Sequence, residues 1–143
     1  GTTSTGGHAP AFLKRVHDAG YDITLLLCSC EDSVRKAAVE YRNEQQRFYQ
    51  STPEDALVKG VFFPQRMSAY FENGDTLYIY WSDDLFSPER LGCVLQNGQI
   101  VVVDSEALEC FVKKYESDRT VLQLEGKTLP TWDELLKTYQ ARF

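Results

Sequence analysis

A chain of 143 residues with 43% hydrophobic, 25% charged and 13% aromatic side chains has the size and composition of one soluble globular domain with a buried core, and excludes a low-complexity or disordered chain. Its formal net charge of -6 excludes broad attachment to nucleic acid or an anionic membrane, both of which need a basic footprint. No apolar stretch approaches the roughly 20 residues of a membrane-spanning helix, so the expected location is cytoplasmic, with no nucleic-acid or membrane partner.

The first segment, GTTSTGG, is rich in glycine and hydroxyl groups and stands directly before a helix. Such a segment can hold an anion through backbone N–H groups; frayed termini have the same composition. From residue 9 to residue 19, Ala9, Phe12, Leu13 and Val16 recur at helical spacing, and Gly20 suits a left-handed cap. Ile23 to Ser29 is a short, continuous apolar run, which predicts a strand buried on both faces of a parallel sheet.

Glu31 to Tyr49 reads as a long helix with Val34, Ala38, Tyr41 and Phe48 on one stripe and Arg35 and Arg42 on another. Thr52-Pro53-Glu54-Asp55 predicts the start of a short helix that Gly60 ends, and a second short helix begins near Pro64. Asn73-Gly74 marks a turn before an aromatic strand, Thr76 to Trp81. LGCVLQNGQIVVVD predicts a hairpin about Asn97-Gly98. Ser105 caps a helix to about Tyr115, with Leu108, Phe111, Val112 and Tyr115 inward; Thr131 and Glu134 form a capping box for a last helix carrying Leu135, Leu136 and Tyr139. The order is that of one α/β domain over 1–143. A parallel sheet is normally flanked and covered on both faces, so the expected fold is a partial one whose missing strands lie upstream or are replaced by a partner chain.

Little of this pattern carries chemistry by itself. His8 and His17 are the only histidines, so neither a histidine metal cluster nor a Ser-His-Asp set can be assembled. Cys28, Cys30, Cys93 and Cys110 lack a second Cys or His pair at zinc spacing; buried free thiols are expected, with Cys28 and Cys30 pointing the same way from alternate strand positions. Asp83 and Asp84 follow a strand at the end where open α/β sheets bind ligands. Arg35, Arg42 and Arg47, with Lys36, give one helix a basic side, either a solvated face or a set of forks suited to phosphate oxygens.

In this order the segments resemble the zeta-toxin family of P-loop kinases. The likeness rests on G-T-T-S-T at Gly1 to Thr5, LKRVHDAGYDITLLLCS at Leu13 to Ser29, the arginine-bearing helix at Ser33 to Arg47, KGVFFPQRMSAYF at Lys59 to Phe71, and WSDD at Trp81 to Asp84. It spans about residues 1–115. The resemblance implies a P-loop-kinase-like three-layer fold and ATP- and Mg²⁺-dependent phosphoryl transfer to a hydroxyl of a small molecule or sugar nucleotide. It assigns Arg35, Arg42 and Arg66 to catalysis and Thr2, Thr5, Asp83 and Asp84 to the substrate, with no protein metal ligand. No G-x-x-x-x-G-K-[ST] occurs in the chain, so the phosphate cradle, its Lys and its Mg²⁺-binding hydroxyl are missing. The resemblance therefore implies the C-terminal part of a larger kinase-like domain, inactive as an isolated chain and without tight affinity for ATP or Mg²⁺. Two alternatives stand beside it. One is a non-enzymatic module that forms a homo-oligomer or recruits a partner through a sheet edge beside Ile23 to Ser29. The other is a small-ligand-binding α+β domain with Phe62, Phe63, Tyr78, Tyr80 and Trp81 around an apolar pocket.

Overall fold

The computed structural model describes residues 8–45 and 52–143. Its elements follow in the order α1 (Ala9–Asp18), β1 (Thr24–Cys30), α2 (Asp32–Gln45), α3 (Pro53–Asn73), β2 (Thr76–Ser82), β3 (Arg90–Gln96), β4 (Gln99–Val102), α4 (Ser105–Leu124) and α5 (Trp132–Gln140). The class is mixed α/β. Thr2 and Thr5 lie outside the described residues.

The four strands form one sheet in the order β1-β2-β3-β4. β1 and β2 run parallel, as the crossover through two helices requires, and β3 and β4 are added antiparallel. The hairpin turn forms at Asn97-Gly98, with φ of 53° and 77°, the left-handed pair that a two-residue turn demands. Between Ile79 and Tyr80 the pairing shifts, so that Ile79 faces Cys93 and Tyr80 faces Leu91. Gly92 is the extra residue of this bulge, and α4 crosses there: a Cβ on Gly92 would stand 2.9 Å from the Leu108 amide nitrogen.

One face of the sheet is covered. Leu27, Leu77, Ile79, Trp81, Cys93 and Leu95 are buried against Met67, Tyr70 and Phe71 of α3, Phe111 and Tyr115 of α4, and Trp132, Leu135 and Tyr139 of α5. Trp132 is the aromatic hub, with ring centroids 5.5 Å from Phe71 and 5.8 Å from Phe111 in edge-on geometry, the arrangement that ring quadrupoles favour. α5 is fastened by the expected capping box at Thr131 and Glu134, by Tyr139 Oη donating to the Asp75 carbonyl, and by Arg142 donating to the carbonyls of Phe71 and Gly74.

The other face is not covered by any described residue layer, which corrects the expectation of a strand buried on both faces. Burial in β1 alternates, and Leu26 is 68% exposed beside a Leu27 that is 4% exposed. The register places Leu26, Tyr78, Val94 and Val101 in one row across all the strands of this open face. The expected second helical layer is thus not among the described residues.

Several local expectations change for physical reasons. α3 is one helix across Gly60 and Pro64, and Pro64 is buried inside it; the packing of α3 against the other helices overrides two local helix breakers. The N-cap of α4 is Asp104, whose carboxylate accepts from the Ala107 N–H, with Ser105 the first helical residue; α4 continues to Leu124, well past Tyr115. Phe12 and Tyr41 point outward, and Val39 is the buried residue of α2. Phe48 lies outside the described residues.

Candidate functional site

Parallel strands end side by side, and loops leaving their C-terminal ends are where open α/β sheets gather ligand-binding groups. Here Cys30 pairs with Ser82 at that end. β1 leads directly into α2, whose first turns carry Arg35; β2 leads into Asp83 and Asp84. The edge-on contact of Tyr41 with Phe86, at 5.2 Å between centroids, ties α2 to the loop after β2. Lys114 of α4, paired with Asp32 at 3.0 Å and Asp118 at 2.8 Å, anchors the start of α2 from below.

Arg35 is the distinctive group of this cluster. Its Nε is buried and has no hydrogen-bond partner among the described residues. A buried donor without an acceptor is costly, and a catalytic role, a bound ion or an ordered water is among the explanations such a group calls for. Its guanidinium lies beside the Cys30 thiol, whose pKa burial raises while the charge and hydrogen bond of Arg35 hold it down. Cys28, two residues back on the same open face, is pushed up to about 11 by burial, with the Glu89 charge adding to it. Both cysteines therefore point the same way, as expected. Of the cysteines only Cys93 is fully buried, pushed up to about 12 by that burial, and all are free thiols; Cys28 keeps an exposed surface on the open face of the sheet although the groups around its sulfur partly desolvate it.

The acids at this end are already engaged. Asp83 receives the Arg90 fork in bidentate fashion, at 2.7 Å and 2.9 Å, the geometry that suits a carboxylate best. Arg90 also reaches Asp104 at 3.2 Å and Glu106 at 3.5 Å. Asp84 accepts from the Phe86 and Ser87 N–H groups and the Ser87 hydroxyl, which hold its carboxyl below the usual range. The pair organises the loop after β2. Sequence reading leaves Arg90 out, although an arginine opening the strand after a pair of acids is the signal that could have found it.

The remaining expected residues are spread out. Arg42 is exposed on α2, next to Tyr41. Arg66 sits on the adjacent α3, with its Nε also buried and unpartnered among the described residues. It stands seven residues before the end of α3, on the order of 10 Å along the helix. Trp81 is core, and Phe63 packs edge-on against Phe111; these aromatics fill the interior, while Tyr78 and Tyr80 belong to the open face. A shallow groove between α1 and α3, lined by Pro10, Lys14, His17, Asp18 and Asn73, opens near the N-terminal ends of the strands, away from Arg35. Among the described residues no three His, Cys, Asp or Glu side chains are placed to hold a metal ion. No helix among them is long and apolar enough to cross a membrane.

No protein-family model, curated protein or solved structure matches the chain.

Proposed function

We propose that this chain is the arginine-bearing C-terminal portion of a zeta-toxin-like kinase, which transfers phosphate to a hydroxyl of a small molecule or sugar nucleotide and is inactive without the remainder of its fold. The observation that carries the reading is Arg35: a guanidinium at the C-terminal end of a parallel strand, with a buried Nε that has no acceptor among the described residues. Phosphoryl transfer is catalysed chiefly by positioned positive charge, and a planar fork held on a helix beside the strand end supplies it. The open edge of β1 and the uncovered face beside it are where a further parallel strand and its helix would complete the sheet.

The described residues do not fit ATP and Mg²⁺. The sequence has no phosphate-cradling motif, and Asp83 and Asp84 are committed to Arg90 and to their own loop. What this chain contributes is charge: Arg35 to neutralise phosphoryl oxygens, with Arg42 and Arg66 as further cations on α2 and α3. The reading requires the coding sequence before Gly1 to encode a strand followed by G-x-x-x-x-G-K-[ST]. In the protein so extended, Arg35→Ala lowers the rate of phosphoryl transfer by roughly 10² to 10³ and leaves the thermal midpoint unchanged. An upstream sequence without that motif, or an Arg35→Ala protein of full activity, ends it.

The open row Leu26–Tyr78–Val94–Val101 favours a second reading, a non-enzymatic module that docks a partner. It predicts a stable folded chain that gives no heat with Mg²⁺-ATP in calorimetry and has no P-loop upstream.

A further inference from the structure

The sheet has a second edge, β4, and its chemistry differs from that of β1. In a two-residue hairpin the residues of the last strand alternate between pairing inward and facing out. Gln99 and Val101 pair inward with Gln96 and Val94, and the Val103 N–H donates to the Gly92 carbonyl at 2.9 Å. The N–H and C=O groups of Ile100 and Val102 consequently point away from the sheet, unpaired within the ladder. Edge strands of soluble proteins are normally blunted by Lys, Pro or an inward charge. The run Gln99-Ile100-Val101-Val102-Val103 has none of these, and Val101, Val102 and Val103 are each more than half exposed.

We propose that β4 is a self-pairing edge, and that two copies of this chain join antiparallel about a two-fold axis at Val101. In that register Ile100 of one copy exchanges both backbone hydrogen bonds with Val102 of the other, and the symmetric pair does the same. The Val101 side chains meet across the axis as a non-hydrogen-bonded pair, with Cα atoms about 4.5 Å apart. The apolar row of the open face then runs from Leu26 to Val101 and on through Val101 to Leu26 of the second copy.

Charge suits this edge to a second copy of the chain. The chain carries -6, so most surfaces of two copies repel each other; residues 99–103 are uncharged, and their pairing sets no acid against another, since Asp104 falls opposite Gly98. The pairing is independent of the kinase reading, because it leaves the β1 edge free.

Sedimentation equilibrium tests it. The wild-type chain sediments at twice its chain mass at micromolar concentration, and Val101→Lys at the chain mass with unchanged circular dichroism; its thermal midpoint equals that of the wild type once both are diluted to monomers, because the side chain is exposed. Mixing Val101→Lys with Val101→Glu restores the double mass through an opposite-charge pair. Under mild oxidation Val101→Cys forms an intermolecular disulfide across the axis, whereas Val103→Cys, whose opposite residue is Gln99, does not. A wild-type chain that stays monomeric throughout the micromolar range overturns the proposal. So does a Val101→Lys dimer, or equal crosslinking of the two cysteine variants.

Discussion

Cys28 and Cys30 stand on one face of one strand, and the Arg35 charge acts on both, but only the second also has a hydrogen bond from its guanidinium. Burial raises both thiols, so both react slowly near neutral pH; with its pKa at about 11, Cys28 is thiolate to only on the order of one part in 10⁴ at pH 7. A cation favours the thiolate. Arg35→Gln therefore raises the Cys30 pKa further and slows its alkylation by iodoacetamide several-fold, read by mass spectrometry, while Cys93 stays unlabelled until unfolding; an unchanged Cys30 rate would place Arg35 away from the thiol. A second residue-scale expectation concerns acid. Asp84, Asp104 and Glu134 all have lowered carboxyl pKa values, led by the Ser87 hydroxyl, the Ala107 N–H and the Thr131 N–H respectively. A carboxyl depressed in the folded state adds stability above its unfolded pKa, about 4, and loses it as pH falls through the folded value. Thermal midpoints are accordingly flat near neutrality and drop below about pH 4. Asp104→Asn lowers the midpoint at pH 7 and makes the acid drop shallower, which a melting series over pH reads directly.

Elements stabilised by local hydrogen bonds are the ones legible in sequence. The Thr131–Glu134 capping box and the Asn97-Gly98 turn form as expected, because each is closed within a few residues. Thr131→Ala removes the cap acceptor and costs about 1 kcal/mol of unfolding free energy in urea titration; a cost near zero would mean that α5 is held by Trp132 and Tyr139 packing alone. Gly98→Ala costs at least as much, since its Cβ would meet the Phe143 Cβ at 2.8 Å and its φ of 77° disfavours any side chain. Where tertiary contacts decide, sequence falls short. Gly60 and Pro64 punctuate α3 locally, yet Pro64 is buried within a continuous helix. The apolar run of β1 shows that a strand is there but not which of its faces is covered, since a half-covered apolar strand and a fully covered one read alike. The candidate site divides the same way. Arg35 and its helix follow from spacing, while the engagement of Asp83 by Arg90 joins residues whose meeting depends on the fold, and the place of Arg35 beside Cys30 depends on how α2 leaves β1.

At the scale of the molecule, the defining property is a sheet with one dressed face. Helices α3, α4 and α5 bury Leu27, Leu77, Ile79 and Leu95, whereas Leu26 keeps 68% of its surface. Both proposals grow from this asymmetry, one completing the sheet beyond β1 and the other extending it beyond β4. Adjacent leucines of β1 make it measurable, because they share a strand and a backbone environment and differ only in the face they occupy. Leu27→Ala opens a cavity in a closed core and costs about 2–5 kcal/mol. Leu26→Ser removes an already solvated side chain and stays within about 0.5 kcal/mol. The urea midpoints of the two variants, taken over a series of chain concentrations, should therefore separate widely. Equal losses would mean that Leu26 is covered in solution, and the concentration dependence of its loss would then identify the cover: a loss that fades on dilution comes from a second copy, and one that does not comes from the chain itself.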